Sequence, residues 1–129
     1  MKKSLALLGS TGSVGSSTLK AIENQNFKIM LLTTKKNLKK CLQQAIMHNV
    51  RDVIVEDKNQ FDKYQNLFNA KKIRLHLGLK NIKKIFKKKI NYCINSISGI
   101  EGLEPTLNII PYTEKILIAN KESIICGWH

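Results

Sequence analysis

The chain has 129 residues, 43% hydrophobic and 24% charged, which is the size of one folded domain and too apolar for a disordered tail. No apolar run reaches the ~20 residues that cross a bilayer, and Met1-Lys2-Lys3 leads into a run whose sequel, Gly9-Ser10-Thr11, is too Gly-rich for a secretory signal core; a cytoplasmic setting with no membrane partner is expected. The net charge of +13 raises nucleic acid as a partner, yet the lysine runs are scattered and only Arg51 and Arg74 could make bidentate contacts, so no specific nucleic acid is expected.

That charge also belongs to a wider bias, since Lys, Ile and Asn together supply 49 of the 129 residues. Cys41, Cys93 and Cys126 are odd in number and widely spaced, without a Cys-x-x-Cys pair or a His at ligand spacing, and read as reduced thiols.

Short apolar runs alternate with helix-like segments along the chain. Ser4–Leu8 has strand length, and Val14–Ile22 follows as a helix with Val14, Leu19 and Ile22 near one face. Ile29–Thr33 is a second strand. Leu38, Cys41, Leu42, Ala45 and Ile46 then mark a second helical stripe. Val53–Val55, a helix from Phe61 to Phe68, and a further strand at Ile73–Leu77 come next. Ile82, Ile85 and Phe86 mark a short helix with its lysines outward. The strand Tyr92–Ile97 precedes a helix with Pro105 in its first turn, and the strand Ile116–Ala119 comes last. This alternation predicts an α/β fold: an open, mostly parallel sheet with helices on both faces.

Within that pattern Gly9, Gly12 and Gly15 occupy the first strand-to-helix turn. Glycines at three-residue intervals allow a tight turn, close approach of a pyrophosphate and close packing of the helix, whose N-terminus favours an anion. Thr11 and Ser13 add hydroxyls. The spacing is Gly-x-x-Gly-x-x-Gly rather than the usual Gly-x-Gly-x-x-Gly, so its position in the first βα unit carries the weight. The second strand ends in Thr33-Thr34-Lys35-Lys36-Asn37, with no carboxylate between Glu23 and Asp52. Cations where the adenosine ribose arrives favour NADP(H) over NAD(H). Lys115–Ser123 is a strand that delivers an amide, a cation and a carboxylate at its carboxyl end, the edge where ligands sit in open α/β sheets.

The combination of Leu8-Gly9-Ser10-Thr11-Gly12-Ser13-Val14-Gly15, Lys36-Asn37, Gly102-Leu103 with Pro105-Thr106-Leu107, and Ala119-Asn120-Lys121-Glu122-Ser123 resembles the amino-terminal part of the 1-deoxy-D-xylulose 5-phosphate reductoisomerase family. The resemblance runs over essentially the whole chain. It implies a Rossmann-like NADPH-binding domain spanning 1–129, in a cytoplasmic enzyme that rearranges and reduces 1-deoxy-D-xylulose 5-phosphate to 2-C-methyl-D-erythritol 4-phosphate in the non-mevalonate (MEP) isoprenoid route. It further implies NADPH contacts at Thr11, Gly12, Ser13 and Val14, at Lys36 and Asn37 near the 2′-phosphate beside Lys35, and at Asn120 and Glu122 near the nicotinamide. Lys121 matches a residue that touches substrate. Family members are homodimers that use a divalent metal, Mn or Mg.

Two departures from the family pattern stand out. Lys35 replaces a common Gly, and Ile100 and Glu101 replace small residues, which is expected to crowd the cofactor site. The chain stops at Trp128-His129, before the family's acidic metal segment, its substrate-phosphate residues and its carboxy-terminal helical domain. A truncated chain, with no metal ligands and no complete catalytic set, is expected to be inactive alone. Readings in other classes are a basic nucleic-acid-binding α/β domain and an unrelated NADP-dependent reductase.

Overall fold

A computed structural model describes residues 2–97 and 99–119. Strand β1 (Lys3–Leu8) carries four consecutive buried apolar residues, Leu5 to Leu8. A run with no polar alternation fits only where both faces of a sheet are covered. β1 lies inside a six-stranded sheet with β2 (Phe27–Thr34), β3 (Asp52–Val55), β4 (Arg74–Leu77), β5 (Ile90–Asn95) and β6 (Thr113–Ile118). Their order is β4-β3-β2-β1-β5-β6. Every adjacent pair is parallel, so each connection must cross over a face.

The crossovers are α1 (Ser13–Ile22), α2 (Leu38–Met47), α3 (Lys58–Ala70), the single turn α4 (Ile82–Ile85) and α5 (Leu103–Ile109). Successive β1 side chains point to opposite faces. Leu5 and Leu7 join Leu19, Ile22, Leu42 and Phe68 beneath α1 to α3. Ala6 and Leu8 join Ile82, Phe86 and Ile109 beneath α4 and α5. This is the expected Rossmann-like α/β architecture, with a wholly parallel sheet among the described residues. None of the described helices is long and apolar enough to cross a membrane.

Several element boundaries, and the burial of one residue, differ from the sequence reading. The third helix begins at Lys58 instead of Phe61, because the Asp57 carboxylate accepts from the Gln60 amide at 3.0 Å and starts it early. β5 ends at Asn95 rather than Ile97, because Asn95 Oδ1 accepts from the Ile97 amide at 2.9 Å and turns the chain out of the ladder. β6 starts at Thr113 and ends at Ile118, since its register against Ile90 begins three residues before the apolar run. Ile46, expected in the buried stripe of α2, is 49% exposed. At 100° per residue it sits about a quarter turn from the centre of the Leu38, Cys41, Leu42 and Ala45 stripe. Cys41 and Cys93 are buried free thiols, and burial pushes both up to about 12. Cys126 lies outside the described residues.

The edge strand β4 is held in register by charge. Asp52 opens β3 opposite Arg74. Its carboxylate accepts Arg74 Nε and Nη2, both at 2.8 Å, and lies 3.0 Å from His76 Nε2. Arg74 and His76 are two residues apart and so share one face of β4. Burial alone would raise the Asp52 carboxyl, but its hydrogen bonds to Arg74 and His76 hold it below the ordinary carboxylate value. A lowered acid contributes stability at pH above its unfolded value, about 4, and loses that contribution as pH falls through the folded value. Asp52→Asn should therefore cost about 1–2 kcal/mol at pH 7, discounted for the exposed Arg74 partner. In denaturant melts the gap between variant and parent should narrow below about pH 4; a gap that widens in acid would contradict this role.

Candidate nucleotide site

The turn between β1 and α1 uses its three glycines differently. Gly9 has φ +75°, and a Cβ there would meet Ile97 Cγ1 at 2.5 Å, so both backbone and space require glycine. A Cβ on Gly15 would collide with the Gly9 carbonyl oxygen and the Ser10 backbone, because α1 sits directly against the turn. Gly12 is the opposite case. The nearest atom to its missing Cβ is Gly9 O at 3.9 Å, and its open side faces a cavity. α1 starts with Ser16 N donating to Gly12 O at 2.8 Å, and among the described residues no side chain caps its N-terminus. Its first-turn amides are left for another acceptor.

That cavity has a volume of about 520 Å³, within the range of ligand pockets. It lies at the carboxyl ends of β1, β2, β3 and β5, where the sheet order reverses beside β1. This topological switch point is where open α/β sheets bind ligands. One wall is the Gly9–Val14 turn, and Thr33, Thr34 and Lys35 at the end of β2 form another. Across from them stand Ser96 and Ile97, after β5. Ser96 Oγ donates to the carbonyls of Leu8 and Gly9. Asn95 Nδ2 donates to Gly102 O at 3.1 Å and Thr106 Oγ1 at 2.6 Å, tying the start of α5 to the end of β5.

The structure gathers Thr11, Gly12, Ser13, Val14 and Lys35 around this cavity. Lys36 and Asn37 are exposed just beyond it, and Asn37 Oδ1 is occupied in capping α2, accepting from Lys40 N at 3.2 Å. Asn120, Lys121 and Glu122 lie outside the described residues. Crowding at Ile100 is not observed. That side chain is 84% exposed and is not part of the cavity wall. Lys35 and Glu101, the other two departures, do line it and face each other, with Lys35 Nζ 3.7 Å from the Glu101 carboxylate.

Glu56, Glu104, Ser96 and Ile97 also line the cavity; the sequence places the Asn95–Leu107 stretch near a cofactor crossing the sheet, but assigns none of these four residues to it. Ser96 and Ile97 had a signal: they directly follow a strand that pairs with β1. Glu56 follows β3, and Glu104 reaches the site from α5. Burial raises the Glu56 carboxyl, Lys35 lowers it, and Glu104 and Glu101 raise it further. The neighbouring Asp57 is separate, since it caps α3. Among the described residues no group of three or more His, Cys, Asp or Glu could hold a metal ion.

The family profile for 1-deoxy-D-xylulose 5-phosphate reductoisomerase matches residues 5–127. The chain belongs to the 1-deoxy-D-xylulose 5-phosphate reductoisomerase family. Among curated reductoisomerases, it is 49% identical to that of Pelagibacter ubique over 98% of this chain and 34% of the relative. It is 33% identical to that of Thermoanaerobacter sp. over 95% of this chain and 32% of the relative. This chain therefore spans about a third of the length of the reductoisomerases it matches. A solved DOX-P reductoisomerase in complex with NADPH, fosmidomycin and magnesium superposes with a TM-score of 0.77 and 29% identity, covering 95% of this chain and 31% of that one. The Zymomonas mobilis reductoisomerase in complex with NADPH shares the fold, with a TM-score of 0.80 at 24% identity over 97% of this chain and 34% of that one.

The glycine geometry sets unequal stability costs at Gly15 and Gly12. Gly15→Ala should destabilise the chain by about 2–4 kcal/mol, in the range of an overpacked core position. Gly12→Ala should shift stability by less than about 1 kcal/mol. Thermal melts that give the two variants equal losses would contradict the assignment.

Proposed function

We propose that this chain binds NADPH at the β1–α1 turn and is the nucleotide-binding part of a 1-deoxy-D-xylulose 5-phosphate reductoisomerase. The observation that carries the reading is the bare side of Gly12, which opens into the cavity beneath an uncapped helix N-terminus. A pyrophosphate fits such a cradle, because amides and the helix dipole meet its charge and no Cβ fills its space. Thr11 and Ser13 add hydroxyls, and Val14 packs beside them. Lys35 and Lys36 supply positive charge for a ribose 2′-phosphate, with Asn37 at the same strand end. Asn120 and Glu122 are assigned to the nicotinamide end, and Lys121 to substrate. NADPH, when bound, supplies the hydride that reduces the substrate.

The described residues do not provide a metal site, and no metal step is assigned to them. Magnesium appears in a solved relative, so a divalent ion, the remaining substrate contacts and a homodimer are proposed for a reductoisomerase of full family length. Turnover is proposed to need that additional polypeptide. A cytoplasmic setting completes the reading and suits the buried, reduced thiols.

If the lysines meet the 2′-phosphate, NADPH should bind more tightly than NADH by about 1–3 kcal/mol, the range of charge-assisted hydrogen bonds. Rising salt should narrow that difference. Equal affinities in low-salt calorimetry would contradict the assignment, and Gly12→Val should abolish binding of both nucleotides. A random DNA duplex titrated at physiological salt separates the basic-domain reading. It should bind weakly and without sequence preference; micromolar, sequence-selective binding would favour that reading instead.

A further inference from the structure

We infer that Lys40 and Gln44, on α2, are positioning residues for the phosphate-binding turn, holding its carbonyls away from the cavity so that its amides face the ligand. The inference rests on the NADPH reading above and adds two residues to it. Lys40 Nζ donates to Thr11 O at 3.0 Å, and Gln44 Nε2 donates to Ser10 O at 2.8 Å. The two side chains are four residues apart and so lie on one face of α2. They reach residues 29 and 34 positions away in sequence. Neither lines the cavity, whereas Thr11 and Gly12 do. α2 therefore braces the turn from behind.

Peptide geometry converts this bracing into ligand geometry. In a trans peptide the carbonyl of one residue and the amide N–H of the next point in opposite directions, and no described peptide is cis. Ser10 C=O is opposed by Thr11 N–H, and Thr11 C=O by Gly12 N–H. Anchoring both carbonyls on α2 aims both amides away from it. A peptide that rotated would turn a carbonyl oxygen toward the pyrophosphate and replace a donor with a repelling acceptor. The side of the turn toward β2 is fixed in parallel, because Thr11 Oγ1 shares a 2.7 Å hydrogen bond with Thr34 Oγ1 and Gly9 N donates to Thr33 Oγ1 at 3.0 Å.

Lys40→Met, Lys40→Arg and Gln44→Leu test this against the parent chain by calorimetry and ligand-observed NMR. Lys40→Met and Gln44→Leu should each weaken NADPH binding by about 5- to 20-fold, the effect of one lost hydrogen bond. The ratio of NADPH to NADH affinity should stay within about twofold of the parent. Adenosine 2′-monophosphate, which has no pyrophosphate, should bind all variants like the parent, and Lys40→Arg should restore NADPH binding. A general loss of structure would weaken the mononucleotide as well, and that result would overturn the inference. So would NADPH affinities within twofold of the parent. Lys40 is only half-buried, so Lys40→Met carries the test if Gln44→Leu fails to fold. A parent chain that binds no NADPH would overturn the nucleotide reading and this inference with it; a parent that binds while both variants match it overturns this inference alone.

Discussion

The contact between α1 and the end of β1 is the constraint on which the rest of the site depends. Gly15 lets the helix backbone rest on the Gly9 carbonyl, and Gly9 in turn makes room for Ile97, just past the end of the neighbouring strand β5. Ile97, far away in sequence, is thereby fixed within a few ångströms of the β1–α1 turn. Any side chain at Gly15 would push α1 outward and carry its N-terminus away from the cavity. One backbone approach thus sets where the helix N-terminus and its unpaired amides stand at the cavity.

The surrounding network keeps this approach rigid without filling the cavity. Ser96 spans the gap between β5 and the turn through the carbonyls of Leu8 and Gly9. Thr33 and Thr34 hold the opposite side. The polar side chains at the strand ends largely hydrogen-bond to backbone, which leaves the Gly12 face open. The charges around the mouth are mixed, with Lys35 among Glu56, Glu101 and Glu104. Three carboxylates beside Lys35 interrupt the positive charge at the mouth, which does not suit a nucleic-acid backbone, whose affinity grows with uninterrupted positive charge.

Much of this was legible in the sequence because the decisive signals are local. Alternating apolar runs and helix stripes gave the parallel sheet, and glycine spacing gave the tight β1–α1 turn at the cavity. What stayed hidden depends on pairing between distant segments. Glu101 and Glu104 reach the cavity beside Lys35 and Glu56 only because the segment after β5 returns over the end of the sheet, and no spacing rule reports that return. Lys40 and Gln44 read simply as the polar side of an amphipathic helix. Asn37 shows the converse. Its place after β2 pointed to the nucleotide, while its amide oxygen is engaged in capping α2. Ile46 shows that a helical stripe read from spacing alone includes a residue too many at its edge.

The family assignment concerns the chain's ancestry, whereas the central claim concerns where a nucleotide sits. Amide chemical shifts recorded during an NADPH titration test that claim most directly. The largest saturable changes should fall on Thr11, Gly12, Ser13 and Val14 and on Thr34 and Lys35, with little change at the far groove formed by Val50, Arg51, Lys71 and Lys72. Saturable changes confined to that far groove, with the β1–α1 turn unmoved, would contradict it.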